Sequence, residues 1–288
     1  MADPTKVESV AEFVAEISKL KLKTGRIRFF RGHADYKKYE LKPSIYRAPY
    51  LIANEERMIE EAIIRCPADF PESLSFFERL VRLQHYGLPT RLLDLTSNAL
   101  VALYFACQDK ERTEGEVIVF DIPRSEVKYY SSDTVSVIAN LARRRNSFDL
   151  AKLPDDTERF NDAPAISRLV YDVCQDKPAF RPMIEKEDLS RVLCVRAKLD
   201  NVRIARQDGA FLLFGIGGKK SECATVPPSW CVCGNSTRRI IFSNKHRIKR
   251  ELEQFGVSGQ ALFPELDSQS RWIQLRFKGK YLRKKKAK

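Results

Sequence analysis

The sequence has 288 residues, 43% hydrophobic and 31% charged, with a formal net charge of +13. That balance excludes a disordered or low-complexity chain and suits a globular fold able to bury a substantial core. No apolar run approaches the about 18 residues of a membrane-spanning helix, no apolar leader is visible, and seven irregularly spaced cysteines suggest reduced thiols in a cytoplasmic protein.

The charge is uneven. Arg276 to Lys288 holds eight basic residues and no acid, and removing those eight from +13 leaves +5 over residues 1–275. The net charge is therefore largely a property of a basic tail, which can contact phosphate backbones or serve as a solubilising end.

In chain order, Val10, Phe13, Val14, Ile17 and Leu20 recur at helical spacing, and Gly25 ends the segment. Ile27–Phe30 reads as a strand delivering Arg31, Gly32 and His33 at its end. An arginine followed by glycine at a strand end presents a cation beside open backbone. Asn54–Cys66 reads as a helix with Met58, Ile59, Ala62 and Ile63 inward.

Gln84–Cys107 concentrates polar residues between two apolar helices. Leu74, Phe77, Leu80 and Val81 form the first helix, which Gly87 and Pro89 stop. Arg91–Leu95 is extended, Ser97 or Asn98 caps the next helix, and Leu100, Val101, Tyr104 and Phe105 form its buried face. Asp94, Thr96 and Ser97 thus fall at a strand-to-helix junction, where free backbone N–H groups can meet an anion. The alternative is local: Asp94 pairs with Arg91, and Thr96 and Ser97 only cap.

Glu116–Ile122 is a buried strand, Asp133–Arg145 a helix ending in the basic cluster Arg143–Arg145, and residues 146–163 a long polar loop. Ile166–Gln175 is a helix and Val192–Ala197 a strand. Arg203, Arg206 and Gln207 precede the strand Ala210–Phe214. Gly215, Gly217 and Gly218 follow that strand without a helix pattern after them, so they form no dinucleotide fingerprint. Cys223, Cys231 and Cys233, even with His246, lack the paired Cys-x2-Cys spacing of a structural zinc site, so no metal is expected. Arg238–Phe242 is a strand, and Asn244 caps a helix that runs to Phe255 and stops at Gly256. A last helix carries Leu266, Trp272 and Ile273 inward. The chain reads as one α+β domain: an N-terminal helix over 1–25 packed on the core, the mixed domain over 26–275, and the basic tail over 276–288.

Phe29–Gly32 (FFRG), the following YELKPSIYR, the QHYGLPTRLLDLTSNALVALYFA block and the late ALFPELD resemble the FRG domain, a family named for its Phe/Tyr-Arg-Gly motif. His33 stands where members of that family often carry glutamine. A more distant resemblance is to ADP-ribosyltransferases of the arginine–serine–glutamate type. Arg31-Gly32 is similar to their first strand end, and Thr96-Ser97 before ALVALYFA to their second. That resemblance implies a central, partly split β-sheet flanked by helices, with an ADP-ribosyltransferase-like core. It also implies NAD as the substrate, no metal, and a catalytic set of Arg31, Ser97 and a glutamate: Glu265 first, then Glu251 and Glu222. Gly32, His85, Arg91, Asp94, Thr96 and Gln207 would line the NAD pocket.

Three functions follow as expectations. The first is an NAD-dependent ADP-ribosyltransferase or NAD glycohydrolase of toxin or defence type, with a protein or nucleic-acid acceptor. The second is a nucleic-acid-binding or nucleic-acid-cleaving protein that uses the tail, the Arg143–Arg145 cluster, and His85 with Asp94 as acid and base. The third is a non-catalytic nucleotide-sensing module.

Overall fold

The computed structural model describes residues 5–108, 112–199, 201–232 and 239–286. Its strands are β1 (Thr5–Val7), β2 (Arg26–His33), β3 (Leu92–Thr96), β4 (Gly115–Pro123), β5 (Val127–Tyr129), β6 (Val192–Arg196), β7 (Gly209–Phe214) and β8 (Ile240–Phe242). They form one mixed sheet in the order β1-β8-β4-β2-β3-β7-β6-β5.

The sheet has a narrow seam. β2 pairs with β4 along its whole length, from Arg26 opposite Pro123 to His33 opposite Glu116. β3 pairs with β7 from Leu92 opposite Leu213 to Thr96 opposite Gly209. Between β2 and β3 there is a single partnered pair, Phe30 opposite Thr96. The mixed sheet flanked by helices is as expected; it is one continuous sheet, joined at this point by that single pair.

Twelve α-helices flank the sheet among the described residues. They are α1 (Val10–Ser18), α2 (Pro49–Ala53), α3 (Glu55–Arg65), α4 (Phe76–His85), α5 (Ala99–Cys107), α6 (Asp133–Asn140), α7 (Thr157–Asp162), α8 (Pro164–Asp176), α9 (Val202–Arg206), α10 (Lys245–Gln254), α11 (Gly259–Leu262) and α12 (Leu266–Lys286). Alternation along the strands decides which of them pack where. Phe30, Val117, Val119, Ile240 and Phe242 face α1, α5 and α10. Leu193, Val195, Phe211 and Leu213 face α4, α6 and α8. Because Phe30, Thr96 and Gly209 are in register, these two helical layers share one face of the sheet and meet over the seam. On the other face, Phe29, Leu93, Phe120 and Phe214 pack against Val226 and Trp230.

The helix ends follow local chemistry. Ser75 and Glu78 form a reciprocal capping box at the start of α4. Gly87 follows α4 with φ +87, which suits a residue without Cβ. Asn98 caps α5, its Oδ1 accepting from Leu100 and Val101 N–H.

Five expectations need correction. The segment 146–163 is no plain loop: it carries α7, pinned by Phe160, which is 1% exposed. A six-residue helix burying one aromatic leaves no periodic pattern. The helix predicted over Asp133–Arg145 stops at Asn140 and gives way to a 3-10 turn, Leu141–Arg143. Asn244 precedes α10 with φ +51 and makes no side-chain cap bond. Leu266 and Ile273 are 80% and 50% exposed, so of the three residues expected inward only Trp272 packs, against Gly259. α12 itself runs unbroken to Lys286, through the tail boundary drawn at 276. Cys233 and Arg238, which figure in the zinc and last-strand readings, lie outside the described residues.

Candidate functional site

The seam opens on a cavity of about 290 Å³ where β2 and β3 diverge beyond Phe30 and Thr96. There the ladder can no longer supply an N–H from β2 to the Asp94 carbonyl on β3. The Arg31 guanidinium does so instead, Nη1 donating to Asp94 O at 2.7 Å. The side chain thus closes on β3 a gap that the backbone ladder leaves.

Arg31 is held by a second contact. Its Nε donates to His33 Nε2 at 3.2 Å, and His33 Nδ1 lies 3.0 Å from Glu116 Oε1. An arginine offers no acceptor, so Nε2 must be the bare ring nitrogen and Nδ1 the protonated one. His33 and Glu116 are 3% and 1% exposed, and Arg239 Nε approaches Glu116 Oε2 at 3.4 Å from outside. Burial holds the imidazole below its ordinary pKa, outweighing the pull of Glu116, and keeps it neutral. Burial also brings Arg31 down to about 10, against the opposing effect of Asp94 and with help from Arg47. Arg31 is therefore cationic at neutral pH.

α4 supplies the facing wall. Gln84 Nε2 donates to Asp94 Oδ1 at 2.9 Å and Gln84 Oε1 accepts from Thr90 Oγ1 at 2.5 Å. At the next residue, the last of α4, His85 Nε2 lies 3.2 Å from Glu265 Oε1, which Arg203 Nη1 approaches to 4.0 Å. Both Glu265 oxygens are shielded from solvent, yet neither has a well-formed hydrogen bond. Burial, then Arg203, lower the His85 pKa, with Glu265 opposing and Arg82 adding to the fall. Phe263 stacks under Arg203 at 4.7 Å and meets Phe105 edge-on at 5.9 Å, which brings the chain before α12 to the cavity rim.

The segment that builds the seam, from the start of β2 through α4, β3 and α5, is also the segment that a family model matches. Residues 26–115 match the FRG domain. No curated protein and no solved structure matches the chain. The FRG match thus ends at Gly115. It contains Arg31, His33, Gln84, His85, Asp94 and Thr96, and it excludes Gln207, Arg203 and the ALFPELD segment with Glu265.

Of the residues singled out from sequence, Arg31, Gly32, His85, Asp94, Thr96 and Gln207 line the cavity and Glu265 stands at its rim against His85. Arg91 does not join them. It is fully buried, bound to Glu55 through Nε (3.0 Å) and Nη2 (2.5 Å) and to Phe214 O, with Lys220 Nζ 3.3 Å from the same carboxylate. Its partner is therefore Glu55 and not Asp94, and its place is the core beneath α3. Ser97 is exposed and is not among the residues that line this cavity; its N–H donates to Asp208 O at 3.0 Å. One residue past Thr96, it points away as strand alternation requires.

Two other roles change. Gly32 borders the cavity, but its Cβ direction is filled: a methyl there would meet Ala102 O at 2.1 Å. Close contact with α5 explains the glycine in the FRG motif of this chain. The Thr96 hydroxyl is committed to structure, donating to Gln207 O at 2.6 Å and accepting from Asn98 N–H at 3.0 Å. Among the alternative carboxylates, Glu251 accepts from Val10 N–H at 2.7 Å and so holds the start of α1, while Glu222 lies in the turn beside Gly217.

Sequence reasoning assigned no role to His33, Gln84, Arg47 or Arg203, all of which line the cavity. His33 sits two residues from Arg31 on one strand, a spacing that puts both on one face. Arg47 gave no signal, because its position depends on how the irregular segment before α2 folds back over Tyr39.

Proposed function

We propose that the seam cavity binds NAD and cleaves its nicotinamide–ribose bond, as an ADP-ribosyltransferase or NAD glycohydrolase does. One observation carries the reading: a fixed cation, Arg31, lines the cavity, and a carboxylate without hydrogen bonds, Glu265, stands at its rim. Loss of nicotinamide leaves an oxocarbenium-like ribose, which a nearby carboxylate stabilises. Arg31, with Arg47 beside it and outside any described ion pair, suits the diphosphate. Gln84 and Asp94 offer donors and acceptors to the ribose hydroxyls. With Ser97 outside the cavity, the serine role of the arginine–serine–glutamate pattern has no residue here; Thr96 supplies support to β3 instead.

Nicotinamide release from NAD by the purified chain tests this, alone and with protein and nucleic-acid acceptors. Release abolished by Arg31→Ala and Glu265→Gln supports catalysis. Saturable NAD binding without release would instead make the chain a nucleotide-sensing module. No NAD binding would overturn the proposal.

In the nucleic-acid reading one support falls: Asp94 is bonded to Gln84, and His85 faces Glu265 instead, so His85 and Asp94 form no acid–base pair. The eight basic residues of 276–288 still favour contact with a phosphate backbone at the end of α12, which salt-dependent binding lost on deleting that segment would show.

A further inference from the structure

The Arg143–Arg145 cluster lies outside the seam cavity. Asp172 on α8 is 1% exposed, with Arg143 Nη1 at 3.5 Å, Arg168 Nε at 3.8 Å and Arg144 Nη2 in contact. One buried carboxylate offsets only one of three guanidiniums. These arginines line a cavity of about 460 Å³ to which Arg145 and Lys152 add two more cations, against Glu56 and Asp149. Neither Arg145 nor Lys152 makes a described ion pair.

Two donors there lack acceptors. Arg144 is 7% exposed and its Nε has no hydrogen-bond partner. Ala165, which also lines the cavity, is the second residue of the 13-residue helix α8, and Ala163 offers no side-chain cap. Pro164 has no N–H, and those of Ile166 and Ser167 donate to Ala163 O at 2.8 and 2.9 Å, which leaves the Ala165 N–H. A helix N-terminus flanked by arginines, with a buried donor unmade, suits a multiply charged oxyanion.

We infer that this cavity is a second anion site, separate from the one holding Arg31, and that it binds a phosphate group. The phosphate can come from a small phosphorylated ligand or from the phosphodiester of a nucleic-acid strand. Asp172 preorganises the arginines, while Arg145 and Lys152 at the exposed edge admit the ligand.

The test is an amide NMR titration of the full chain with inorganic phosphate and, separately, with a short single-stranded oligonucleotide. The expected result is a saturable shift of the Ala165 amide, weakened about tenfold by Arg145→Ala or Lys152→Ala and unchanged by Arg31→Ala. Displacement of phosphate by the oligonucleotide assigns the site to phosphodiesters; a shift produced by phosphate alone assigns it to small ligands. Both variants are at exposed positions, so folding is not at stake. An Ala165 amide that neither probe shifts, or a shift that neither variant weakens, overturns the inference.

Discussion

Arg31 Nε donates to His33 Nε2 at 3.2 Å, and this contact fixes both the tautomer of a buried histidine and the aim of the cation at the sheet seam. The ring's other nitrogen is tied to Glu116, so Glu116, His33 and Arg31 form one chain from the core to the cavity. Glutamine can accept from Arg31 and donate to Glu116 in the same way; leucine can do neither. His33→Gln should keep NAD affinity within a few-fold, while His33→Leu should weaken it by about tenfold or more through a misaimed Arg31. Titration of the two variants with NAD checks this, and equal affinities would remove His33 from any positioning role.

The same histidine gives a pH dependence of stability. Its folded pKa lies below the unfolded value, so the folded state binds the proton less readily. Above the unfolded value of roughly 6.5 the group is neutral in both states and has no effect. As pH falls through that value, the unfolded chain takes up the proton first and stability drops. His85 is shifted in the same direction and adds to the loss. Thermal unfolding followed between pH 8 and 5 should show a midpoint that falls on the acid side, with a shallower fall in His33→Gln.

Gly32→Ala should destabilise the fold by about 3 kcal/mol, the upper end of the usual overpacking cost, because the new methyl would meet the α5 backbone. Denaturant unfolding checks it. A wild-type midpoint would mean that β2 and α5 separate easily and that the glycine serves the cavity instead.

Arg91 and Arg31 should behave as opposites. Removing Arg91 strips Glu55 of its two guanidinium bonds and leaves it only Lys220 in a dry site, a loss of about 3–5 kcal/mol on denaturant unfolding. Arg31→Lys should cost far less stability but lower NAD turnover by about 100-fold, since a lysine cannot reach Asp94 O and a diphosphate with one planar fork.

Ser97→Ala separates this site from the arginine–serine–glutamate pattern. Ser97 is exposed and off the cavity, so its hydroxyl should be worth less than about twofold in turnover, while Glu265→Gln should lower kcat by about 100-fold with little change in KM. Steady-state kinetics of the two variants decides between them, and a dead Ser97→Ala would show that the α5 end of β3 rearranges around substrate.

What the sequence determined by itself was local. The spacing of Phe77, Leu80 and Val81, the glycine stop at Gly87 and the cap at Asn98 specify α4, β3 and α5 because capping and periodicity act within one or two turns. The same locality made Arg31 and Thr96 visible as strand ends. Pairing between distant segments was not legible. Arg91 and Arg31 are alike as letters, and only the approach of α3 with Glu55 sends one into the core while the β2–β3 seam leaves the other at a cavity. Glu265 reaches His85 across most of the chain, by the packing of Phe263 on Phe105 and Arg203. A charged side chain takes its role from the partners that desolvate or neutralise it, and tertiary structure alone chooses those partners.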